Sequence, residues 1–154
     1  MSTRALRAAQ RFSFLWEKFR AKMESIRFPY GVSNFSKLVT DGHLYVDRTA
    51  FLEILELLDS SYHFYLRPRR FGKSLAVSVM EYYYGRQHKG DFGRLFGKYY
   101  IGQHPTPGAN AYMVLKFDFS GIRTDSPASV EAGFSLEVRE SVLRSLAPYY
   151  GAWQ

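Results

Sequence analysis

The chain has 154 residues, a length typical of a single globular domain, and its hydrophobic residues, 46% of the total, are enough for one core. Its formal net charge of +7 favours an anionic partner, such as nucleotide, nucleic acid or an acidic membrane surface, without choosing among them. The sequence has no cysteine, which excludes disulfides and thiolate metal sites, and no apolar run reaches the roughly 20 residues of a membrane-spanning helix. We therefore expect a cytoplasmic protein with no integral membrane association.

Residues 1–27 are predicted to form a basic amphipathic helix, a separate extension of the main domain. Apolar residues recur at helical spacing from Leu6 to Met23, with basic residues between them. Such a helix either docks on a membrane surface or a partner, or packs its aromatic face on the domain, which we favour. The first sixteen residues contain arginines and no acid, as in organelle transit peptides, but short basic helices are common and we do not expect an organelle signal.

The second predicted domain, residues 28–154, begins with a segment rich in turn formers at 28–34. The short apolar run at 43–46 predicts a strand, and Asp47 or Thr49 is expected to cap the helix that follows. The next apolar run, 62–66, suits a buried parallel strand better than an exposed one.

Beyond the loop RPRRFGKS at 67–74, apolar residues at helical spacing predict a helix that ends at Gly85. A further strand is predicted at 111–119, and Ser126 is expected to cap a helix that ends near Pro148. Strand, glycine-bearing loop and helix thus follow one another. This order predicts an α/β fold with the parallel-sheet core of P-loop NTPases.

The tetrad FGKS, residues 71–74, contains the second half of the P-loop pattern. Gly72 lets the backbone approach a phosphate closely, and the helix that starts near Lys73 directs unpaired N–H groups toward a bound anion. The Lys73 ammonium can reach the β and γ phosphates, and the Ser74 hydroxyl is a hard ligand suited to Mg²⁺. A surface turn is the alternative for such a tripeptide, but its position between a strand and a helix favours phosphate binding.

The loop departs from the P-loop pattern at its start, because Arg67 and Pro68 stand where a glycine is expected. Together with Arg69 and Arg70, Arg67 makes the loop strongly cationic, and guanidinium groups suit phosphate oxygens. For any one of these arginines, pairing with an acidic neighbour or facing water is an alternative that the sequence leaves open.

Asp118 ends the predicted strand at 111–119, where P-loop enzymes carry an acid that supports Mg²⁺. Lys116 interrupts the apolar run, however, and no second acid follows Asp118 to activate water. We therefore interpret Asp118 as the cap of a turn. The histidines show no metal-ligand spacing. The sequence therefore predicts no histidine metal site, and the catalytic residues remain unassigned.

The chain resembles the predicted AAA-ATPase-like family from about Phe28 onward, in the segments PYGVSNF (29–35), YVDRT (45–49), FYLRPRRFGKS (64–74) and VLKFDFSG (114–121). In that family the arginine-rich loop takes the place of the usual Walker A sequence, and a PD-(D/E)XK nuclease-like domain often lies downstream. The resemblance implies an AAA/STAND-like P-loop domain that binds ATP, and contact with nucleic acid through a downstream domain absent from this chain.

The family's Walker B strand and sensor residues would also follow the end of the chain, so the P-loop domain looks truncated. We expect binding of ATP with Mg²⁺ and little or no hydrolysis, if the chain folds alone. The alternative is a basic module that grips nucleic acid or anionic membrane without nucleotide chemistry. Ser74 is the predicted metal ligand, and the predicted cofactor-binding residues are Arg70, Phe71, Gly72, Lys73, Ser74 and Leu75.

Overall fold

The computed structural model describes residues 13–18, 20, 23, 26–58 and 60–152. Residues 13–18 are helical (α1) and expose Leu15 and Trp16, whereas the remainder of the predicted helix from Leu6 lies largely outside the described residues. The other α-helices are α2 (Phe35–Thr40), α3 (Phe51–Leu57), α4 (Lys73–Tyr84), α5 (Phe92–Phe96), α6 (Tyr100–Gln103) and α7 (Pro127–Leu146), and the 3-10 helices are Arg86–Asp91, Phe119–Gly121 and Ala147–Ala152.

The predicted α/β fold with a parallel-sheet core is wrong, because the described residues form helices and no sheet. Backbone pairing is limited there to two isolated parallel bridges, Arg27 with His43 and Gly85 with Tyr112. The segments predicted as strands at 43–46, 62–66 and 111–119 therefore do not pair with one another. Apolar composition indicates that a segment can be buried, but a sheet also needs strands aligned edge to edge, which composition does not specify.

The segment 62–66 differs most from its prediction as a buried strand. Its alternate side chains are almost fully exposed, with Tyr62 at 91%, Phe64 at 88% and Leu66 at 81% exposure. An apolar run favours burial, yet in the described structure no neighbouring strand covers this one.

The core is formed by α2, α3 and α4 together with the short helices α5 and α6. Helix α2 packs against α4 and α5, and Phe35 of α2 stacks on Phe96 of α5 with ring centroids 4.9 Å apart. An edge-to-face contact at 5.4 Å joins Phe35 to Tyr45. The buried cluster as a whole consists of Phe35, Leu52, Val79, Tyr83, Leu95, Phe96, Tyr99 and Ile101.

Helices α4 and α7 confirm their predictions. Helix α4 begins at Lys73 and buries Val79 and Tyr83 on its core face, and it ends before Gly85. Helix α7 has a complete capping box, in which the Ser126 side chain accepts from Ser129 N–H. Both helices carry their start and stop signals within the local sequence.

The start of α3 corrects another expectation. Neither Asp47 nor Thr49 caps this helix, because its N-cap is Ala50 and makes no side-chain hydrogen bond. The Asp47 carboxylate instead accepts from the N–H of Thr49 at 2.8 Å and from the N–H of Tyr100 at 2.7 Å. Asp47 and Thr49 thus connect this segment to α6 by hydrogen bonds from the N–H groups of Tyr100 and Ile101. Throughout the described ranges, no helix combines the length and the apolar character that crossing a membrane requires.

Candidate functional site

The loop before α4 leads into the start of a helix, as predicted, but the strand predicted before the loop does not form among the described residues. Gly72 is the N-cap of α4 and has φ 76°, in the left-handed region that favours glycine. Arg70 also has a positive φ of 67°. No side chain caps the start of α4, so the first N–H groups of this twelve-residue helix remain available to a ligand. The loop and helix together present partial positive charge at Gly72.

Lys73 connects the two ends of this loop. Its Nζ donates hydrogen bonds to the carbonyl oxygen of Arg67 at 2.5 Å and to that of Pro68 at 3.2 Å. Neutral carbonyls are weaker partners for an ammonium group than a phosphate would be. Lys73 therefore joins the start of the loop to the first turn of α4.

A cavity of about 680 Å³ opens beside the loop and the start of α4. Its volume is within the range of about 300–1,000 Å³ that is common for small-molecule sites. Its apolar walls come from several elements and include Leu38, Leu44, Val46, Phe51, Val79 and Met80.

The charged residues that line the cavity are all cationic, namely Arg48, Arg67 and Lys73. No acidic residue contributes to its described lining. The cavity therefore has apolar walls that suit an apolar part of a ligand and cations that suit an anionic part.

The structure brings together four of the six residues predicted to bind a cofactor. Phe71, Gly72, Lys73 and Leu75 line the cavity, and Leu75 also packs against the buried core. Arg70 and Ser74 are exposed residues of the same segment and are not part of the cavity lining. Ser74 nevertheless lies in the first turn of α4, directly after Lys73.

Tyr45 and Arg48 are among the cavity residues that the sequence did not identify. Burial, followed by the nearby charge of Asp47, raises the pKa of Tyr45 to about 12, so its hydroxyl stays neutral near pH 7. Both residues belong to YVDRT, a segment that carries part of the family resemblance but was not predicted to bind a ligand. A cation in a segment so far from the loop along the chain carries no local signal that it lines the same cavity.

The structure confirms the prediction that Asp118 caps a turn. Its carboxylate accepts from the N–H of Ser120 at 3.0 Å at the start of the 3-10 helix Phe119–Gly121. Hydrogen bonds from Ser120 hold the pKa of Asp118 below its usual value. Within the part of the chain that the structure describes, no group of three or more histidine, cysteine, aspartate or glutamate residues could hold a metal ion.

Comparison with known proteins supports the resemblance seen in the sequence. A family model described as "AAA-ATPase_like: Predicted AAA-ATPase" matches residues 29–148, which include the loop, the cavity and all of α7. The chain is also 40% identical over 60 residues to "Uncharacterized protein in vnfD 5'region" of Azotobacter chroococcum mcd 1. That match covers 38% of this chain and 11% of the relative, so the chain spans only a small part of the relative's length. No solved structure matches the chain.

Proposed function

The chain belongs to the predicted AAA-ATPase family, and we propose that it binds ATP with Mg²⁺ through a variant Walker A loop, residues 67–74. The observation that carries this proposal is the cavity of about 680 Å³ that Gly72 and Lys73 help to line. A nucleoside triphosphate joins an apolar base to a strongly anionic tail. The cavity likewise joins apolar walls to charged residues that are all cationic.

The start of α4 suits the phosphate end of the ligand. Its uncapped N–H groups and its helix dipole favour an anion next to Gly72. In the bound state, we expect the Lys73 ammonium to leave the carbonyl oxygens of Arg67 and Pro68 and to donate to phosphate oxygens instead. The loop thus contains both the charge and the backbone donors that the proposal needs.

Ser74 would be the protein ligand of Mg²⁺ in this proposal. Mg²⁺ usually keeps several waters and takes its other oxygens from few protein groups and from the phosphates, so the Ser74 hydroxyl would supply one ligand, with water and phosphate oxygens as the others. Ser74 is exposed in the first turn of α4, and its hydroxyl makes no hydrogen bond to another described residue. When bound, the metal would neutralise phosphate charge.

We propose binding without hydrolysis by this chain. Hydrolysis of a nucleoside triphosphate needs a group that positions or deprotonates the attacking water. Among the described residues, no carboxylate lines the cavity, and that of Asp118 is engaged by Ser120. The residues present support recognition of the nucleotide more than its chemistry.

Titration with a fluorescent ATP analogue in the presence of Mg²⁺ tests the proposal. The matched variants are Lys73→Ala and Lys89→Ala, since Lys89 is an exposed lysine outside the cavity lining. We expect wild type and Lys89→Ala to bind saturably, and Lys73→Ala to bind roughly ten- to a hundredfold more weakly, the effect of losing one charged hydrogen bond.

Circular dichroism would establish that the variants fold equally. Equal binding by Lys73→Ala, or no binding by folded wild type, would refute the proposal. The basic-module alternative would then be tested with single-stranded DNA, for which it expects an affinity that falls steeply with salt and does not depend on Lys73.

A further inference from the structure

The cavity beside α4 holds more positive charge than the P-loop pattern explains. That pattern accounts for Lys73, whereas Arg48 and Arg67 are additional cations of the same lining. Like charges around one cavity repel each other, and a bound anion would offset this repulsion. Within the described residues, no carboxylate forms an ion pair with any of the three.

Arg48 differs from the other two cations in its origin. Lys73 and Arg67 belong to the loop itself, but Arg48 precedes α3 and reaches the cavity from a separate part of the chain. Its own side chain has no hydrogen-bond acceptor among the described residues, whereas the Lys73 ammonium already has two carbonyl partners. The Arg48 guanidinium therefore retains its full capacity to donate to a ligand.

The backbone on both sides of Arg48 is firmly anchored. Asp47 accepts from the N–H of Tyr100, and the buried Thr49 hydroxyl accepts from the N–H of Ile101 at 3.2 Å. The Thr49 hydroxyl also donates to Asp47 at 2.7 Å. These bonds tie the segment to α6 and fix the position from which Arg48 extends, as a binding residue requires.

We infer that Arg48 is a second phosphate-binding residue of the cavity, which donates to the anionic tail of a bound nucleoside triphosphate in addition to Lys73. The inference rests on the proposed nucleotide binding and adds a residue from outside the loop. A planar guanidinium can donate two parallel hydrogen bonds to one phosphate group, which an ammonium cannot do. Arg48 thus favours a ligand with several phosphate oxygens over an uncharged nucleoside.

Competition by unlabelled ATP and by adenosine against the fluorescent analogue tests this inference. The variants are Arg48→Ala, Arg48→Gln, Lys73→Ala and, as a control, Arg139→Ala, which changes an exposed arginine of α7. We expect both Arg48 variants to weaken ATP binding roughly ten- to a hundredfold, the effect of one lost charge-assisted hydrogen bond. Adenosine has no phosphate, so its affinity should change by less than about twofold.

The outcomes separate the two proposals. If folded Arg48→Gln binds ATP within about twofold of wild type while Lys73→Ala is weakened, Arg48 has no phosphate contact but nucleotide binding at the loop stands. If Arg48 variants lose ATP and adenosine equally, the residue shapes the cavity and does not recognise phosphate. If wild type binds no ATP, both proposals fail. Arg48→Gln keeps the length of much of the side chain and serves where Arg48→Ala does not fold.

Discussion

The backbone N–H of Phe35 donates a 2.9 Å hydrogen bond to Oγ of Ser78, which ties the first residue of α2 to the middle of α4. Both residues are buried, with 0% and 2% exposure, so water cannot replace this bond. The bond orients α2 on the helix whose first turn carries the candidate site. Phe35 then reaches the aromatic core, where it stacks on Phe96.

Ser78→Ala is expected to lower the free energy of unfolding by about 1–3 kcal/mol, because it leaves the buried N–H of Phe35 without an acceptor. Urea denaturation followed by circular dichroism measures this loss. The matched control is Ser135→Ala on the exposed face of α7, which should change stability by no more than about 0.5 kcal/mol. A Ser78→Ala variant as stable as this control would show that the hydrogen bond between Phe35 and Ser78 contributes little to the free energy of unfolding.

The helices that sequence predicted well are those whose signals are local. Helix α4 combines apolar residues at helical spacing with Gly85 as its C-cap, and α7 begins with the Ser126 capping box. Helix α2 was missed because six residues are too few to show a helical period, although Asn34 is a strong N-cap and accepts from the N–H of Lys37 at 2.9 Å.

Features that depend on distant parts of the chain were beyond the sequence. Strand pairing at 43–46 and 111–119 was inferred from apolar runs, but each segment makes a single bridge in the described structure. The loop at 67–74 was placed correctly before α4, because glycine, lysine and serine mark it locally. Arg48 joins the same cavity only through the tertiary anchoring of its neighbours to α6, for which a single sequence has no signal.

Gly72→Ala tests the backbone requirement at the start of α4. A Cβ at this position would meet no atom within 4 Å, so the cost of the substitution lies in the positive φ of 76° and not in crowding. We expect a loss of about 1–2 kcal/mol in the free energy of unfolding, or a rearranged loop with weaker nucleotide binding.

Gly93→Ala on α5 is the control for Gly72→Ala, because it also adds a methyl group into open space but has no positive φ. It should leave stability unchanged or raise it by a few tenths of a kcal/mol, through lower entropy of the unfolded chain. Denaturant melts of the two variants provide the comparison. Equal stability of the two variants, with unchanged nucleotide binding, would show that the positive φ of Gly72 does not require glycine.

Asp47 is expected to make the fold sensitive to acid. Burial alone would raise its pKa, but hydrogen bonds from the N–H groups of Tyr100 and Thr49 and from the Thr49 hydroxyl outweigh burial and lower it. A carboxyl group whose pKa is lowered by folding stabilises the protein above its unfolded value of about 3.9. That stabilisation disappears as the pH falls through the lower pKa of the folded state.

Asp47→Asn should therefore reduce the free energy of unfolding by about 1–2 kcal/mol at pH 7, a modest effect because Asp47 is exposed. The difference from wild type should shrink between about pH 4 and pH 2. Urea melts across this pH range measure it. Asp91→Asn, which removes an exposed ion pair with Arg94, is the control and should cost no more than about 1 kcal/mol. A difference at Asp47 that is independent of pH would contradict the assignment.

Asn110 closes the C-terminal end of α4 and combines two roles that substitution can separate. Its Nδ2 donates to the carbonyl oxygens of Tyr83 at 3.1 Å and Gly85 at 2.8 Å, and its backbone has a positive φ of 50°. Asn110→Gly keeps the backbone conformation but loses the side-chain donors, so we expect a loss of about 1–2 kcal/mol in unfolding free energy. Asn110→Ala loses the donors and also strains the backbone, which should cost about 1 kcal/mol more.

Thermal and urea melts of the Asn110 variants should rank wild type as the most stable, the glycine variant second and the alanine variant last. If alanine matches glycine, φ is not limiting at this position, and if both match wild type, the side-chain bonds of Asn110 add little to the bond that its backbone N–H donates to Tyr83.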